Sequence, residues 1–322
     1  MNIHNAIKTP YNTPFIAQRA DPYILHEGGK YYFTASVPAY DSVVLRCADT
    51  LEDLRTAPET EVWHKHESGV MSEHIWAPEL HRVNGKWYIY FAAGERDDVW
   101  NIRPWVLVCK GDDPMKDGWE EAGQVTPQDP YTFKDFSLDM TTFEQGGRRY
   151  CIWAEKVSVG QKISNLYIAE MNDALELKTP QMLLTYPSYA WERHGFWVNE
   201  GPAILRGEGK IFVTFSASET GPAYCVGLLW ADENADLMDI SSWHKVNHPV
   251  LCTDAEKGIY GPGHNSFFKG DDGCDYMAYH ARPYDEIIGN PLYDPNRHCF
   301  ILKVDWNNGM PVFDLKNQLY QD

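Results

Sequence analysis

The stretch RADPYILHEGGKYYFTAS, residues 19–36, sets the pattern of the whole chain. An apolar strand that carries one acidic residue, Asp21, is followed by a glycine-centred turn and a second strand rich in aromatic residues. Two such runs joined by a short turn are typical of a β-hairpin. The same unit returns four more times, as WAPELHRVNGKWYIYFAA (76–93), SLDMTTFEQGGRRYCIWAE (137–155), VNEGPAILRGEGKIFVTFSA (198–217) and GPGHNSFFKGDDGCDYMAYHA (261–281).

These five units divide the chain at a regular period of about 60 residues. A further strand pair follows each hairpin, as SVVLRCA (42–48) and TEVWHKH (60–66) follow the first, so each unit holds about four strands. Four-stranded units repeated radially form a β-propeller. We therefore predict an all-β, five-bladed propeller with antiparallel blades around a central axis. We expect one domain over 1–322, with blades beginning near residues 20, 76, 137, 198 and 261.

One polar residue stands near the head of each unit: Asp21, Glu79, Asp139, Glu200 and His264. The first strand of each propeller blade lines the axis, so these five side chains are predicted to converge. Collecting carboxylates in one buried place is costly through desolvation and mutual repulsion. Core packing gains nothing from such a cluster, which therefore indicates a functional site.

Composition limits the classes of ligand. The chain has 322 residues, of which 43% are hydrophobic and 14% aromatic, and a formal net charge of −18. This acidity disfavours nucleic acid and anionic lipid as partners and favours a neutral ligand. No apolar run is long enough to span a membrane, and residues 1–10 contain no leader-like apolar segment, so we expect a cytoplasmic protein. Seven cysteines without paired spacing are expected to be free thiols.

At these residues the chain resembles glycoside hydrolase family 43, whose members are five-bladed propellers acting on polymers of arabinose and xylose. Six pieces carry the resemblance, in the family's order and over nearly the whole chain. They are RADPYI (19–24), WAPEL (76–80), SLDMTTF (137–143), NEGP (199–202), GPGHNS (261–266) and YHAR (279–282).

The resemblance implies a role for each acid. It makes Asp21 the general base, Glu200 the general acid, and Asp139 the carboxylate that orients the acid and tunes its pKa. Glu79 is implied to be a supporting acid outside this set. Hydrolysis of a glycoside needs one protonated carboxyl at the leaving oxygen and one ionised carboxylate opposite it. Because blades one and four face each other across the axis, we expect the wide separation of an inverting enzyme.

The resemblance also implies three further site residues. Trp76 is expected beside the sugar. Arg282 is expected to hold Asp21 or Asp139 ionised, or to bind a sugar hydroxyl. His264 is expected to face the axis, where it would contact a Ca²⁺ or similar ion through water, although no cofactor is expected to be required.

The substrate implied by the resemblance is a neutral oligosaccharide derived from plant polysaccharide. Residues 64–93 and 102–114 look like the branch of the family that releases arabinose from α-1,5-linked arabino-oligosaccharides. Insertions at 95–104 and 282–298 would form the pocket walls. The alternatives are an endo-arabinanase, a β-xylosidase and, from another class, a sugar-binding propeller without catalysis. A lectin needs no opposed Asp and Glu with a third carboxylate, and this difference favours an enzyme. Residues 1–15 either close the ring as an edge strand or pack on its surface.

Overall fold

A computed structural model describes residues 9–156 and 163–321, and these residues form five blades of antiparallel strands. Blades 3 and 4 are joined into one eight-stranded sheet by a short parallel pairing of Ile163 and Ser164 with Trp197 and Val198. Blade 1 contains β1 (Ala20–Glu27), β2 (Lys30–Ser36), β3 (Ser42–Ala48) and β4 (Thr60–His64), with a short helix α1 (Leu51–Thr56). Blade 2 contains β5 (Glu73–Val83), β6 (Lys86–Glu95), β7 (Asp98–Cys109) and β8 (Trp119–Gly123). The predicted five-bladed all-β propeller is confirmed.

The later blades follow the same order. Blade 3 contains β9 (Ser137–Gln145), β10 (Arg148–Lys156), β11 (Ile163–Met171) and β12 (Met182–Thr185). Blade 4 contains β13 (Trp197–Gly207), β14 (Lys210–Ala217), β15 (Cys225–Asp232) and β16 (His244–Lys245). Blade 5 contains β17 (Tyr260–Lys269), β18 (Asp275–Arg282) and β19 (His298–Lys303), and a small hairpin follows as β20 (Asp305–Asn307) and β21 (Met310–Val312). Short 3₁₀ turns lie at Pro10–Asn12, Ala190–Glu192, Ile240–Ser242, Pro291–Tyr293 and Leu315–Asn317.

The turn between the first two strands shows why each unit begins as a hairpin. Glu27 pairs with Lys30, so Gly28 and Gly29 form a two-residue loop. Both have positive φ, 61° and 73°, which glycine adopts without steric cost. A two-residue loop with this backbone matches the natural twist of the flanking strands.

The hydrophobic core lies between the blades. One cluster joins blades 3 and 4 through residues that include Ile152, Leu166, Val213 and Phe215, all fully buried. Because neighbouring blades cover both faces of each sheet, the second strand of a blade is buried along most of its length, as in β14 and β18. The innermost strands contact one another around the axis, with β1 against β5 and β17, and β13 against β9 and β17.

The beginning of the described chain closes the ring. The backbone amides of Phe15 and Ile16 donate to the carbonyl of Cys299, at 2.8 and 3.3 Å. The amide of Cys299 donates in return to Ile16, at 2.9 Å. Residues 15–16 thus occupy the fourth-strand position beside β19. Of the segment 1–15, the end therefore pairs at the edge, whereas residues 1–8 lie outside the described residues.

Each innermost strand carries a β-bulge at the same level of the axis, where its ladder with the second strand shifts register. A bulge adds one residue to a strand and re-aims the side chains beside it. The first residue of each bulge has a left-handed backbone: Asp21 (φ 54°), Ala77 (46°), Asp139 (55°), Gly201 (54°) and His264 (39°).

These bulges correct the expectation that five polar residues occupy equivalent positions. Asp21, Asp139 and His264 are equivalent, but Glu200 precedes its bulge by one residue and Glu79 follows Ala77 by two. All five lie on innermost strands, as predicted. Glu79, however, lies roughly 7 Å further along its strand, in a different layer.

Candidate active site

His264 is the centre of the acid cluster. Its Nδ1 lies 3.3 Å from Oδ1 of Asp21 and 3.9 Å from Oδ2 of Asp139. The backbone amide of Gly201, next to Glu200, donates to Oδ2 of Asp139 at 2.9 Å. The bulges therefore bring the three predicted acids together from blades 1, 3 and 4, with the histidine of blade 5 between them.

Asp21 is surrounded by groups that stabilise its anion. Ser36 Oγ donates to Oδ2 at 2.6 Å, and Arg297 Nη1 donates to Oδ1 at 3.2 Å. Burial alone would raise the pKa of Asp21, but the charges of Arg297 and His264 outweigh burial and hold this pKa well below its usual range. Asp21 is therefore a carboxylate at neutral pH, the state that a base requires.

The pKa values of Asp139 and Glu200 are shifted in the opposite direction, above their usual range. Burial raises the pKa of both carboxyl groups, and repulsion between them raises the pKa of Asp139 further. Asp139 is 5% exposed, whereas Glu200 is less completely buried. The pair is thus suited to keep a proton near neutral pH, and Glu200 is the member that a ligand can reach more easily.

His264 carries the balancing positive charge. Burial alone would lower its pKa, but the carboxylates of Asp139, Asp21 and Glu200 outweigh burial and raise it. Among residues 9–156 and 163–321, no three His, Cys, Asp or Glu side chains are arranged to hold a metal ion. The imidazole faces the carboxylates of Asp21 and Asp139 directly, and its contact with an ion through water stays a prediction.

Arg282 does not contact Asp21 or Asp139, so the first of its two expected roles is wrong, and binding of a sugar hydroxyl stays a prediction. Arg282 is 1% exposed, its Nη2 donates to the carbonyl of Pro291 at 2.7 Å, and its Nε lies 3.5 Å from Oδ1 of Asp294. Arg297 contacts Asp21 instead. Both arginines border the 282–298 insertion, and local sequence gives no reason to prefer one of them as the partner of an acid near the other end of the chain.

Trp76 lies in an aromatic wall to which both insertions contribute. His74 stacks on Trp76 with ring centroids 4.4 Å apart, and Trp100 from the first insertion lies 6.3 Å from Trp76. Tyr293 from the second insertion is joined to His74 by a 3.2 Å contact between its hydroxyl and Nε2. The indole nitrogen of Trp76 is buried and has no hydrogen-bond partner within the described protein.

Glu79 lies outside the acid cluster, as its position after the bulge requires. Its Oε2 is 2.7 Å from Nε2 of His81, and Nδ1 of His81 is 3.5 Å from the hydroxyl of Tyr23. Glu79 is 8% exposed. Glu79 therefore belongs to a separate buried group with His81 and Tyr23.

Two residues near the acids have no signal in the local sequence. Tyr224 donates its hydroxyl to Oε1 of Glu200 at 2.8 Å. His280 is fully buried, and its Nδ1 lies 3.1 Å from the backbone nitrogen of Asp21. His280 stands in the YHAR piece (279–282), which marked only Arg282 as functional, and Tyr224 stands in a loop without a motif.

Asp21 is held ionised and Glu200 favours its proton, and hydrolysis of a glycoside requires one carboxyl group in each of these two states. The chain belongs to glycosyl hydrolases family 43, whose sequence profile matches residues 11–311.

Three similar proteins are named as arabinofuranosidases. The chain is 47% identical over 309 residues to an extracellular exo-α-(1→5)-L-arabinofuranosidase of Streptomyces avermitilis, covering 95% of this chain but 63% of the relative. It is 48% identical over 284 residues to a protein of that name from Streptomyces chartreusis, covering 88% of this chain and 85% of the relative. The structure resembles an α-L-arabinofuranosidase of Lactobacillus brevis with a TM-score of 0.88 and 46% identity, covering 94% and 95% of the two chains.

The expected cytoplasmic location is wrong. Both Streptomyces relatives are named as extracellular. The expectation depended on finding no leader segment, but a leader is removed from a mature secreted protein and its absence from a sequence does not report location. In the described part of the chain, no helix is long and apolar enough to cross a membrane. All seven cysteines lie in that part and are free thiols.

Proposed function

We propose that this protein releases L-arabinose from the ends of α-1,5-linked arabino-oligosaccharides by an inverting general acid/base mechanism. The observation that carries the proposal is the opposite tuning of Asp21 and Glu200 around His264. Arg297 and His264 keep the pKa of Asp21 low, whereas burial raises that of Glu200. Cleavage of a glycoside needs both states at once.

The chemistry assigns one proton transfer to each acid. Glu200 gives its proton to the glycosidic oxygen as the bond from this oxygen to the anomeric carbon breaks. Asp21 takes a proton from the water that attacks the same carbon from the opposite face. Asp139, beside Glu200, favours the protonated state of the acid through repulsion. Arabinose and the shortened oligosaccharide leave, and the protons on the two carboxyl groups are then re-equilibrated with water.

The choice of substrate is supported by the names of the similar proteins and by the aromatic wall. A furanose ring offers an apolar face that can pack against the aromatic side chains of this wall. Trp100 and Tyr293 remain 42% and 58% exposed, so they are available to a ligand at the rim.

A panel of four substrates tests the proposal: nitrophenyl α-L-arabinofuranoside, nitrophenyl β-D-xyloside, linear arabinan and xylan. We expect hydrolysis of the first, and release of arabinose alone from arabinan. Longer fragments from arabinan would identify an endo-arabinanase, and preference for the xyloside would identify a β-xylosidase. Binding without hydrolysis of any substrate would identify a sugar-binding propeller.

A further inference from the structure

The general acid proposed above has a hydrogen-bonding partner that its motif does not reveal. Tyr224, in the loop before β15, donates its hydroxyl to Oε1 of Glu200 at 2.8 Å. Its side chain is 1% exposed, so water does not compete for this bond. A carboxyl group has two oxygens, and this contact occupies one of them.

The ring of Tyr224 is held from two sides. It stacks on His280 with ring centroids 5.7 Å apart and planes 3° from parallel. On another side lies Gly263, where an added Cβ would come within 2.3 Å of Cε1 of the tyrosine. The space for the ring therefore exists only because residue 263 is glycine, and the phenol has little freedom to move.

His280, on which Tyr224 stacks, also contacts Asp21, the proposed base. Nδ1 of His280 lies 3.1 Å from the backbone nitrogen of Asp21 and 3.2 Å from its Oδ1. Burial lowers the pKa of His280 to about 3, so its imidazole is neutral at working pH. Two packed rings, those of His280 and Tyr224, thus connect the carboxyl groups of Asp21 and Glu200.

We propose that Tyr224 is a positioning residue for the general acid. By donating to Oε1 of Glu200, it leaves the second oxygen to carry the proton that is transferred to the leaving group. The same bond strengthens when Glu200 becomes an anion, which is the change that occurs during bond cleavage. This inference depends on the proposed function, because it assigns a role within that reaction.

The pH dependence follows from the groups that face Glu200. Burial raises its pKa, while the hydroxyl of Tyr224 and the charges of His264 and Lys156 lower it, and Asp21 raises it. Asp139 is adjacent and repels it. Loss of the Tyr224 hydroxyl removes a donor that favours the anion, so the pKa of Glu200 rises. Because the acid works when protonated, the alkaline limb of the pH–rate profile should move to higher pH.

The test compares Tyr224→Phe with wild type on two substrates. With α-1,5-arabinobiose, whose leaving group needs a proton, we expect kcat to fall about tenfold or more. With nitrophenyl α-L-arabinofuranoside, whose leaving group needs little protonation, we expect a loss below roughly threefold. Retained turnover of the nitrophenyl substrate also shows that the variant is folded. The alkaline limb should move up in pH.

Tyr90→Phe is the matched control. Tyr90 is also fully buried and donates its hydroxyl at 2.8 Å, but to the carbonyl of Ala174, away from the acids. Tyr90→Phe should change neither the ratio of the rates on the two substrates nor the position of the alkaline limb. Equal losses of Tyr224→Phe on both substrates, or an unmoved limb, would overturn the positioning role. Failure of wild type to hydrolyse either substrate would instead reject the proposed function.

Discussion

Arg297 and Asp21 are joined by a hydrogen bond of 3.2 Å between Nη1 and Oδ1, although 276 residues separate them in the chain. The other amino group of Arg297 donates to the hydroxyl of Tyr40 at 2.6 Å, and this hydroxyl donates to the carbonyl of Leu292 at 2.5 Å. The proposed base is thus held in its ionised state by the insertion that also contributes Tyr293 to the pocket wall.

Replacing Arg297 by methionine should move the acidic limb of the pH–rate profile to higher pH. Asp21 works when ionised, and loss of the guanidinium raises its pKa, so a higher pH is needed to ionise it. Leaving a buried carboxylate without its partner should also cost about 3–5 kcal/mol of stability. Arg297→Lys keeps the charge and should shift the limb less. An unchanged limb in Arg297→Met, measured with the nitrophenyl substrate, would contradict this role.

Glu200→Gln and Asp21→Asn should differ in their dependence on the leaving group. Removing a general acid or base costs about 10²–10⁴-fold. Glu200→Gln should show this loss with arabinobiose and a smaller one with the nitrophenyl glycoside, because the aryl leaving group needs less protonation. Asp21→Asn should slow both alike, because each requires an activated water. Steady-state rates on the two substrates measure this difference. If instead Asp21→Asn depended on the leaving group and Glu200→Gln did not, the roles of acid and base would be exchanged.

Asp139→Asn should move the alkaline limb to lower pH, opposite to Tyr224→Phe. Asp139 is adjacent to Glu200, and removal of its negative charge lowers the pKa of the remaining carboxyl group. The asparagine oxygen can still accept the amide of Gly201, so the backbone at the bulge should be retained. The pH–rate profile measures the displacement of the limb. A melting temperature equal to that of wild type shows that the variant keeps its fold. A limb displaced to higher pH would show that Asp139 does not tune Glu200.

Chelation of metal ions should leave both activity and melting temperature unchanged. His264 contacts the carboxylates of Asp21 and Asp139 directly, and Arg297 already balances part of their charge. The protein should be dialysed against EDTA and assayed on arabinobiose, with and without added Ca²⁺. Loss of activity that only Ca²⁺ restores would show that an axial ion is required.

The first arabinose released should have the anomeric configuration opposite to that of the substrate. Asp21 is bound by Arg297 and Ser36, which stabilise an anion that activates water. A time course by proton NMR, recorded before mutarotation, measures the product directly. Product with the configuration of the substrate would make Asp21 a nucleophile and the mechanism retaining.

The amino-acid sequence by itself determined the propeller, the innermost strands and the convergence of Asp21, Asp139 and the segment of Glu200 near the axis. The repeat of apolar strand, glycine turn and aromatic strand is local, so hairpin chemistry and periodicity suffice to predict it. Asp21, Asp139 and Glu200 could be found because each stands in a motif at a regular place in the repeat.

Only the tertiary structure decided which partners tune those acids. Glu79 lies two residues beyond the position equivalent to Asp21 and His264, and so small a shift does not show in a repeat period of about 60 residues. The choice of Arg297 over Arg282, and the placement of Tyr224 on Glu200, depend on how loops of different blades pack at the axis. Contacts between residues far apart in the chain leave no local pattern, because they follow from the closure of the ring.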